Sequence, residues 1–145
     1  MNKGFALIEL IVVVAIISAL SGIVLFSIVK YINSGKDSNA AGNLSVLVPA
    51  GEIYYNNNGN SYGGFCDSEI VRNAYSQTPK NLDGSCYEEL NNPAGVCCSV
   101  NTDGDKWAVC ARKFANPEKA FCVDSRGVKK EIGANSCGTA TTVCK

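Results

Sequence analysis

One carboxylate, Glu9, interrupts an apolar run that covers residues 5–29 and ends at Lys30. An ionised acid near the centre of a bilayer helix costs about 2.5–3.5 kcal/mol on insertion scales. A buried carboxylate calls for a cationic partner, and the chain offers none nearby except a terminus. Cleavage after Gly4 would expose an amine on Phe5, with Glu9 fifth in the shortened chain. The amine of one copy would then pair with Glu9 of the next and set the axial register of a helical stack. That chemistry is cleavage after Gly4 followed by intermolecular ion pairing.

The second reactive set is eight cysteines, Cys66, Cys86, Cys97, Cys98, Cys110, Cys122, Cys137 and Cys144, all beyond the apolar run. An even, dense set in a small domain outside a membrane points to disulfides and an oxidising compartment. A head of about 90 residues has a limited core, and each bridge adds about 2–4 kcal/mol. Zinc is the rival, but the chain has no histidine and no C-x-x-C, which leaves only an irregular four-cysteine site. Thiol redox catalysis would also prefer C-x-x-C. Cys86, Cys98, Cys110 and Cys122 follow one another at a constant spacing. With turns centred on Gly104 and Asn116, Cys98, Cys110 and Cys122 fall opposite one another on the same face of three adjacent strands. Three in a row cannot all pair among themselves, so at least one must reach Cys86 or the C-terminal segment.

Asn101, Asp103 and Asp105 place oxygen side chains at alternate positions around Gly104. A calcium loop would need more ligands and a closing glutamate, so the expectation is a hydrophilic hairpin turn, with calcium as the alternative. Trp107, Val109 and Ala111 share one strand face, expected to pack on a helix; a sugar- or surface-binding Trp107 is the rival reading. Tyr54, Tyr55, Tyr62 and Tyr75 are expected in helix and loop packing. No catalytic constellation is present, because histidine is lacking and the acids are scattered at turns. An enzyme is therefore not expected, and neither is a cofactor.

The elements that position these groups follow from the pattern. Residues 5–29 are long enough to cross a hydrocarbon core of about 30 Å. A cleaved secretory signal would have an apolar core of about 7–15 residues and a small-residue cleavage site; Ser18-Ala19-Leu20-Ser21-Gly22 is a poor one. A plain membrane anchor explains the length but leaves Glu9 without a role. Lys3 before the run and Lys30 and Lys36 after it do not fix orientation. Thirteen basic and thirteen acidic residues balance, which fits one anchored domain and does not favour nucleic acid as a bulk electrostatic partner. Beyond Lys30 the residues turn small and polar, then Leu44, Leu47, Val48, Gly51, Tyr54 and Tyr55 recur at helical steps. One long helix is expected over residues 5–55, weak around residues 34–38 and bent near Pro49, which removes a helix hydrogen bond. A turn-rich exit covers residues 56–64, and a short helix is expected over 67–75. Strands are expected over 96–100, 106–114, 119–124 and 128–132 as an antiparallel meander. The fold class is α+β, with the second half of the long helix laid on the sheet and its apolar half protruding.

The string Lys3-Gly4-Phe5-Ala6-Leu7-Ile8-Glu9-Leu10-Ile11 resembles the signal of type IV pilins and type II secretion pseudopilins. The resemblance implies a prepilin peptidase that cuts after Gly4 and methylates Phe5, and an assembly role for Glu9. Ala6 departs from the threonine commonest at that place. The domains implied are a leader over 1–4, a transmembrane and filament-core helix over 5–29, and an extracytoplasmic, disulfide-rich pilin-like head over 30–145. The implied partners are identical or related pilin subunits, the peptidase, the pilus assembly machinery and, before assembly, the cytoplasmic membrane. A disulfide Cys137–Cys144, closing a C-terminal loop, is expected partly by this resemblance, and Cys66–Cys86 is expected to bracket the helix-to-sheet connection. The function implied is a structural subunit of a type IV pilus-like filament. A secretion pseudopilin, and a membrane-tethered disulfide-rich binding domain that never polymerises, are the alternatives.

Overall fold

The computed structural model describes residues 7–78, 95–138 and 140–145. It falls into two units, Met1–Asn33 and Ser34–Lys145. Helix α1 covers Leu7–Ser45 and helix α2 covers Leu47–Asn57. The break between them is the single residue Val46, three positions before Pro49. Proline has no N–H to give to Ser45, and its ring crowds that carbonyl, so the ladder yields there. Helicity resumes through a 3.3 Å bond from the Ala50 amide to the Val46 carbonyl.

The small polar stretch expected to weaken the helix stays helical. Local bonds and packing hold it. Ser38 Oγ donates to the Ser34 carbonyl at 3.1 Å, and the Asp37 carboxylate accepts the amides of Phe114 at 2.6 Å and Ala115 at 3.2 Å. Lys36 Nζ lies 5.0 Å from the centroid of the Phe114 ring. Tertiary partners thus override a poor intrinsic propensity.

Past α2, a short 3₁₀ turn over Phe65–Asp67 leads into helix α3, Glu69–Gln77. Helix α3 starts later than expected because Ser68 caps it, its side chain accepting from the Val71 amide. Four strands follow, β1 Val96–Val100, β2 Trp107–Arg112, β3 Lys119–Asp124 and β4 Lys129–Gly133. They form one antiparallel sheet in sequence order. Strand β2 is shorter than residues 106–114 because Asp37 draws the Phe114 and Ala115 amides away from the sheet.

The sheet's alternation sorts its side chains into two cores. Val96, Trp107, Val109, Ala111 and Val123 pack with Leu44 and Leu47 of the helices and with Tyr62, Phe65 and Val71. Cys97, Ala108, Cys110, Ala120, Cys122 and Ile132 occupy the opposite face and are covered by Cys137 and Cys144. Trp107 is fully buried, its ring centroid 4.9 Å from that of Phe65, with Tyr62 edge-on at 6.3 Å. Gly51 makes room for it: a Cβ there would sit 2.8 Å from Trp107 Nε1.

The register corrects the cysteine reading. Val100 pairs with Trp107, so Cys97, and not Cys98, lies opposite Cys110, which in turn faces Cys122. A one-residue slip moves every side chain of a strand to the other face. Cys98 therefore points to the helix side and bridges Cys66, with Cα atoms 5.7 Å apart. Cys110 bridges Cys137 and Cys122 bridges Cys144. These pairs replace the expected Cys66–Cys86 and Cys137–Cys144. Two cysteines of the C-terminal segment are each clamped to a different strand, instead of closing a loop on themselves. Cys97 is disulfide-bonded as well. Cys86 lies outside the described residues.

Candidate functional site

Glu9 stands in the first turn of α1, where a carboxylate complements the helix dipole. It is exposed, between exposed Ile8 and Leu10. No ion pair to Glu9 occurs among the described residues. Gly4 and Phe5, the processing pair, lie outside the described residues. From Leu7 to Val29 the large apolar side chains with described burial are all exposed, as are Tyr31 and Ile32 after them. Among the described residues, α1 is the one helix long and apolar enough to cross a membrane.

Its few polar groups are spoken for. Ser18, Ser21 and Ser27 donate their hydroxyls to the carbonyls of Val14, Ile17 and Ile23 at 2.8, 2.7 and 3.2 Å. Bonding back to the preceding turn lets a hydroxyl enter an apolar medium without an unmet donor. Glu9 is then the single ionisable side chain of this stretch, which runs from Leu7 to Val29. An apolar helix of this kind is suited to lipid or to a bundle of like helices, and the carboxylate gives it an address for a cation.

The head's other candidates have structural occupations. Asn101 Oδ1 accepts the amides of Asp105 at 3.0 Å and Lys106 at 2.9 Å, and its Nδ2 donates to Asp105 Oδ1. Asp105 also pairs with Lys106 Nζ at 3.1 Å. The Asn101 hydrogen bond first, then Lys106, hold the Asp105 carboxyl below its ordinary range. Two of the three proposed calcium ligands thus serve the loop's own donors. Gly104 closes that loop at φ 68°, with its position for a Cβ against Ser61 Oγ. Trp107 is inaccessible to a sugar because its ring is wholly enclosed. The sulfurs of Cys97, Cys110 and Cys137 lie within 4.8 Å of one another, and all three residues are disulfide-bonded.

Two acids to which the sequence assigned no role, Asp37 in the long helix and Asp124 at a strand end, hold the head together. Asp37 ties the β2–β3 connection to α1. Asp124, fully buried, accepts the amides of Arg126 at 3.0 Å, Val128 at 3.3 Å and Cys144 at 2.9 Å, and pairs with Arg126 Nη2 at 2.6 Å. Burial alone would raise its pKa, but the Arg126 guanidinium and the backbone amides outweigh it and hold the carboxyl below its ordinary range. Arg126 also donates to the Cys144 carbonyl at 3.3 Å. The available signal was Asp124 at the end of a strand, two residues before an arginine.

A family model described as the prokaryotic N-terminal methylation motif matches residues 1–25. This is the prepilin-type signal of type IV pilins and pseudopilins, a structural and not a catalytic family. The chain thus carries the mark of a pilin- or pseudopilin-like precursor, and the motif implies processing by a prepilin peptidase and anchoring in a membrane. No curated protein and no solved structure matches the chain.

Proposed function

We propose that the chain is a structural subunit of a type IV pilus-like filament. It is held in the cytoplasmic membrane by residues 5–29 with the head of residues 30–145 outside, cut after Gly4, and polymerised through its N-terminal helix. The observation that carries this reading is the exposed apolar helix bearing one carboxylate in its first turn, inside the methylation motif.

The mechanism follows from the environment of that helix. In lipid the apolar side chains are dry, and in a bundle of like helices they remain dry, so assembly exchanges one apolar surrounding for another. The driving term is then the carboxylate. In lipid Glu9 is expensive; beside the Phe5 amine of a neighbour it is a paired charge. The pair also sets register, since the two groups meet at one axial offset only. The disulfides keep the head intact on an exposed fibre.

The test is the N-terminal residue of protein recovered from the native cell surface, by mass spectrometry. A start at Phe5 carrying a methyl group supports the filament subunit. An intact Met1 on mature surface protein would overturn it in favour of a tethered binding domain, and a start near Ser21 would mean a conventional signal peptide.

A further inference from the structure

The formal charge balance of the chain hides a segregation within the head. Between residues 34 and 105, six acids and two bases lie among the described residues, whereas residues 106–145 carry eight bases and three acids. The sheet order turns that difference in sequence into two edges. Cys66 is bridged to Cys98 of β1, which puts Asp67 and Glu69, at the start of α3, beside the β1 edge. The β1–β2 turn joins them, since the Gly104 carbonyl accepts the Tyr62 amide at 2.7 Å and brings Asp103 to the same side. Asp67, Glu69 and Asp103 are all exposed. The bases nearby are engaged: the Arg72 guanidinium donates to the Asp67 carbonyl at 3.1 and 2.7 Å, and Lys106 pairs with Asp105. At the opposite edge, β4 carries exposed Lys129 and Lys130. Of the acids in that half, Asp124 is held by Arg126 and Glu131 by Lys113, which leaves Glu118.

We propose that these edges are the two halves of one head-to-head contact, with Lys129 and Lys130 of one copy set against Asp67, Glu69 and Asp103 of a second copy. The proposal rests on the filament reading and adds to it the surface by which neighbouring heads meet. Within one chain the two sets do not meet: none of these five residues forms an ion pair among the described residues. The β1 and β4 backbones stand three strand spacings apart, about 14 Å at about 4.8 Å each, whereas an ion pair needs about 4 Å or less. A second copy supplies what the first lacks. A contact between unlike patches repeats head to tail and builds an open polymer, while a self-complementary patch stops at a dimer.

Exposed pairs are individually weak, so they do not hold the filament together; the apolar helices do that. Once the helices are bundled, the heads are tethered at high effective concentration, and weak pairs suffice to select one orientation. Successive residues of a strand point to opposite faces, so Lys129 and Lys130 straddle the β4 edge and present charge on both sides of it. Lysines on an edge strand also resist backbone pairing with a second sheet, which keeps the contact between side chains. Like edges repel, so the wrong orientation is penalised as the right one is favoured. Glu9 then sets the axial step, and the head charges set which edge of the next head is met.

The experiment is zero-length crosslinking of filaments sheared from cells, using a water-soluble carbodiimide, followed by peptide mapping of the crosslinked dimers. An amide joining Lys129 or Lys130 to Asp67, Glu69 or Asp103 is expected. Filaments that give no such joint would overturn the contact. Lys129→Glu with Lys130→Glu, and separately Asp67→Lys with Glu69→Lys, should each lower filament yield about fivefold or more, the scale of one exposed pair per contact. Trp107 fluorescence melts establish that the heads remain folded. All four reversals in one chain should restore the yield; a combined variant no better than either pair would also overturn the contact. Should a variant fail to fold, the wild-type crosslinks decide alone. Wild-type protein that keeps Met1 and forms no filaments would overturn the filament reading and this contact with it, whereas filaments without these joints overturn the contact alone.

Discussion

Replacing Asp124 by alanine tests whether one buried carboxylate fastens the end of the chain. The side chain accepts three backbone amides and the Arg126 guanidinium. Arg126 is half exposed, so once released it regains water and its stranding costs little. The Val128 and Cys144 amides are different, since the second is buried and neither has the carboxylate to turn to. A stranded buried donor costs about 1–3 kcal/mol, so two give a loss of about 2–4 kcal/mol at pH 7, moderated by solvent reaching Val128. For a unit of this size, each kcal/mol lowers Tm by about 4 °C, which predicts a drop of about 8–16 °C. The single tryptophan, fully enclosed in the head, supplies the readout: thermal unfolding of the detergent-solubilised chain followed by Trp107 fluorescence. The pH dependence gives a second arm. Because the folded carboxyl lies below its unfolded value, near 3.9, its contribution is complete above about pH 4 and is lost as pH falls through the folded pKa. The wild type should therefore lose more stability than Asp124→Ala between pH 4 and pH 2. A Tm shift under about 4 °C at pH 7, or identical acid profiles for the two proteins, would refute the reasoning.

Glu9→Ala should leave head unfolding by Trp107 fluorescence unchanged while filament yield falls at least about tenfold, the effect of 1.4 kcal/mol per added subunit; normal yield by electron microscopy of sheared cells would remove the ion-pair account. Gly51→Val should destabilise the head by about 1–3 kcal/mol, because its Cβ meets the Trp107 ring and neither element can retreat; an unshifted fluorescence melt would show that the contact yields freely. Tyr62 is pushed up to about 12, by burial first and then by its hydrogen bond to Glu52 and that acid's charge. Its neutral form is thus favoured in the fold, and stability should be lost as pH rises from about 10 toward 12. Tyr62→Phe, which cannot ionise, should show a smaller alkaline loss in Tm between pH 9 and 11.5, and equal losses would count against that ordering.

The parts of the molecule legible in the sequence were those with a long physical period. The largely apolar run over residues 5–29 was legible as one helix long enough to cross a hydrocarbon core. Helical steps from Leu44 to Tyr55 announced the face that meets the sheet, and Trp107, Val109 and Ala111 announced the complementary face. Pro49 placed the break to within three residues. The stretch near Asp37 was misread because propensity describes an isolated helix. Asp37 instead finds two amides on a loop 77 and 78 residues away, and no local rule can anticipate that.

The disulfides failed for a smaller reason with larger consequences. The cysteine spacing is symmetric about either of two turn centres that differ by half a residue. Sequence placed the first turn on Gly104, the residue with obvious conformational freedom. The structure centres it between Asp103 and Gly104, because the Asn101 amide donates to the Lys106 carbonyl at 3.0 Å while the Asn101 side chain accepts the Asp105 and Lys106 amides. Asn101 was weighed as a metal ligand, and its stronger role was to close the hairpin. That choice exchanges Cys98 for Cys97 on the outer face, sends Cys98 to Cys66 in the helix-side core, and leaves Cys137 and Cys144 to pair with strands. A hydrogen bond within one turn thus decides which cysteines meet many residues away. The same half-residue sets Cys97 beside the Cys110–Cys137 bridge. With the turn centred on Gly104, Cys98 would face that bridge and Cys66 would have to find another partner.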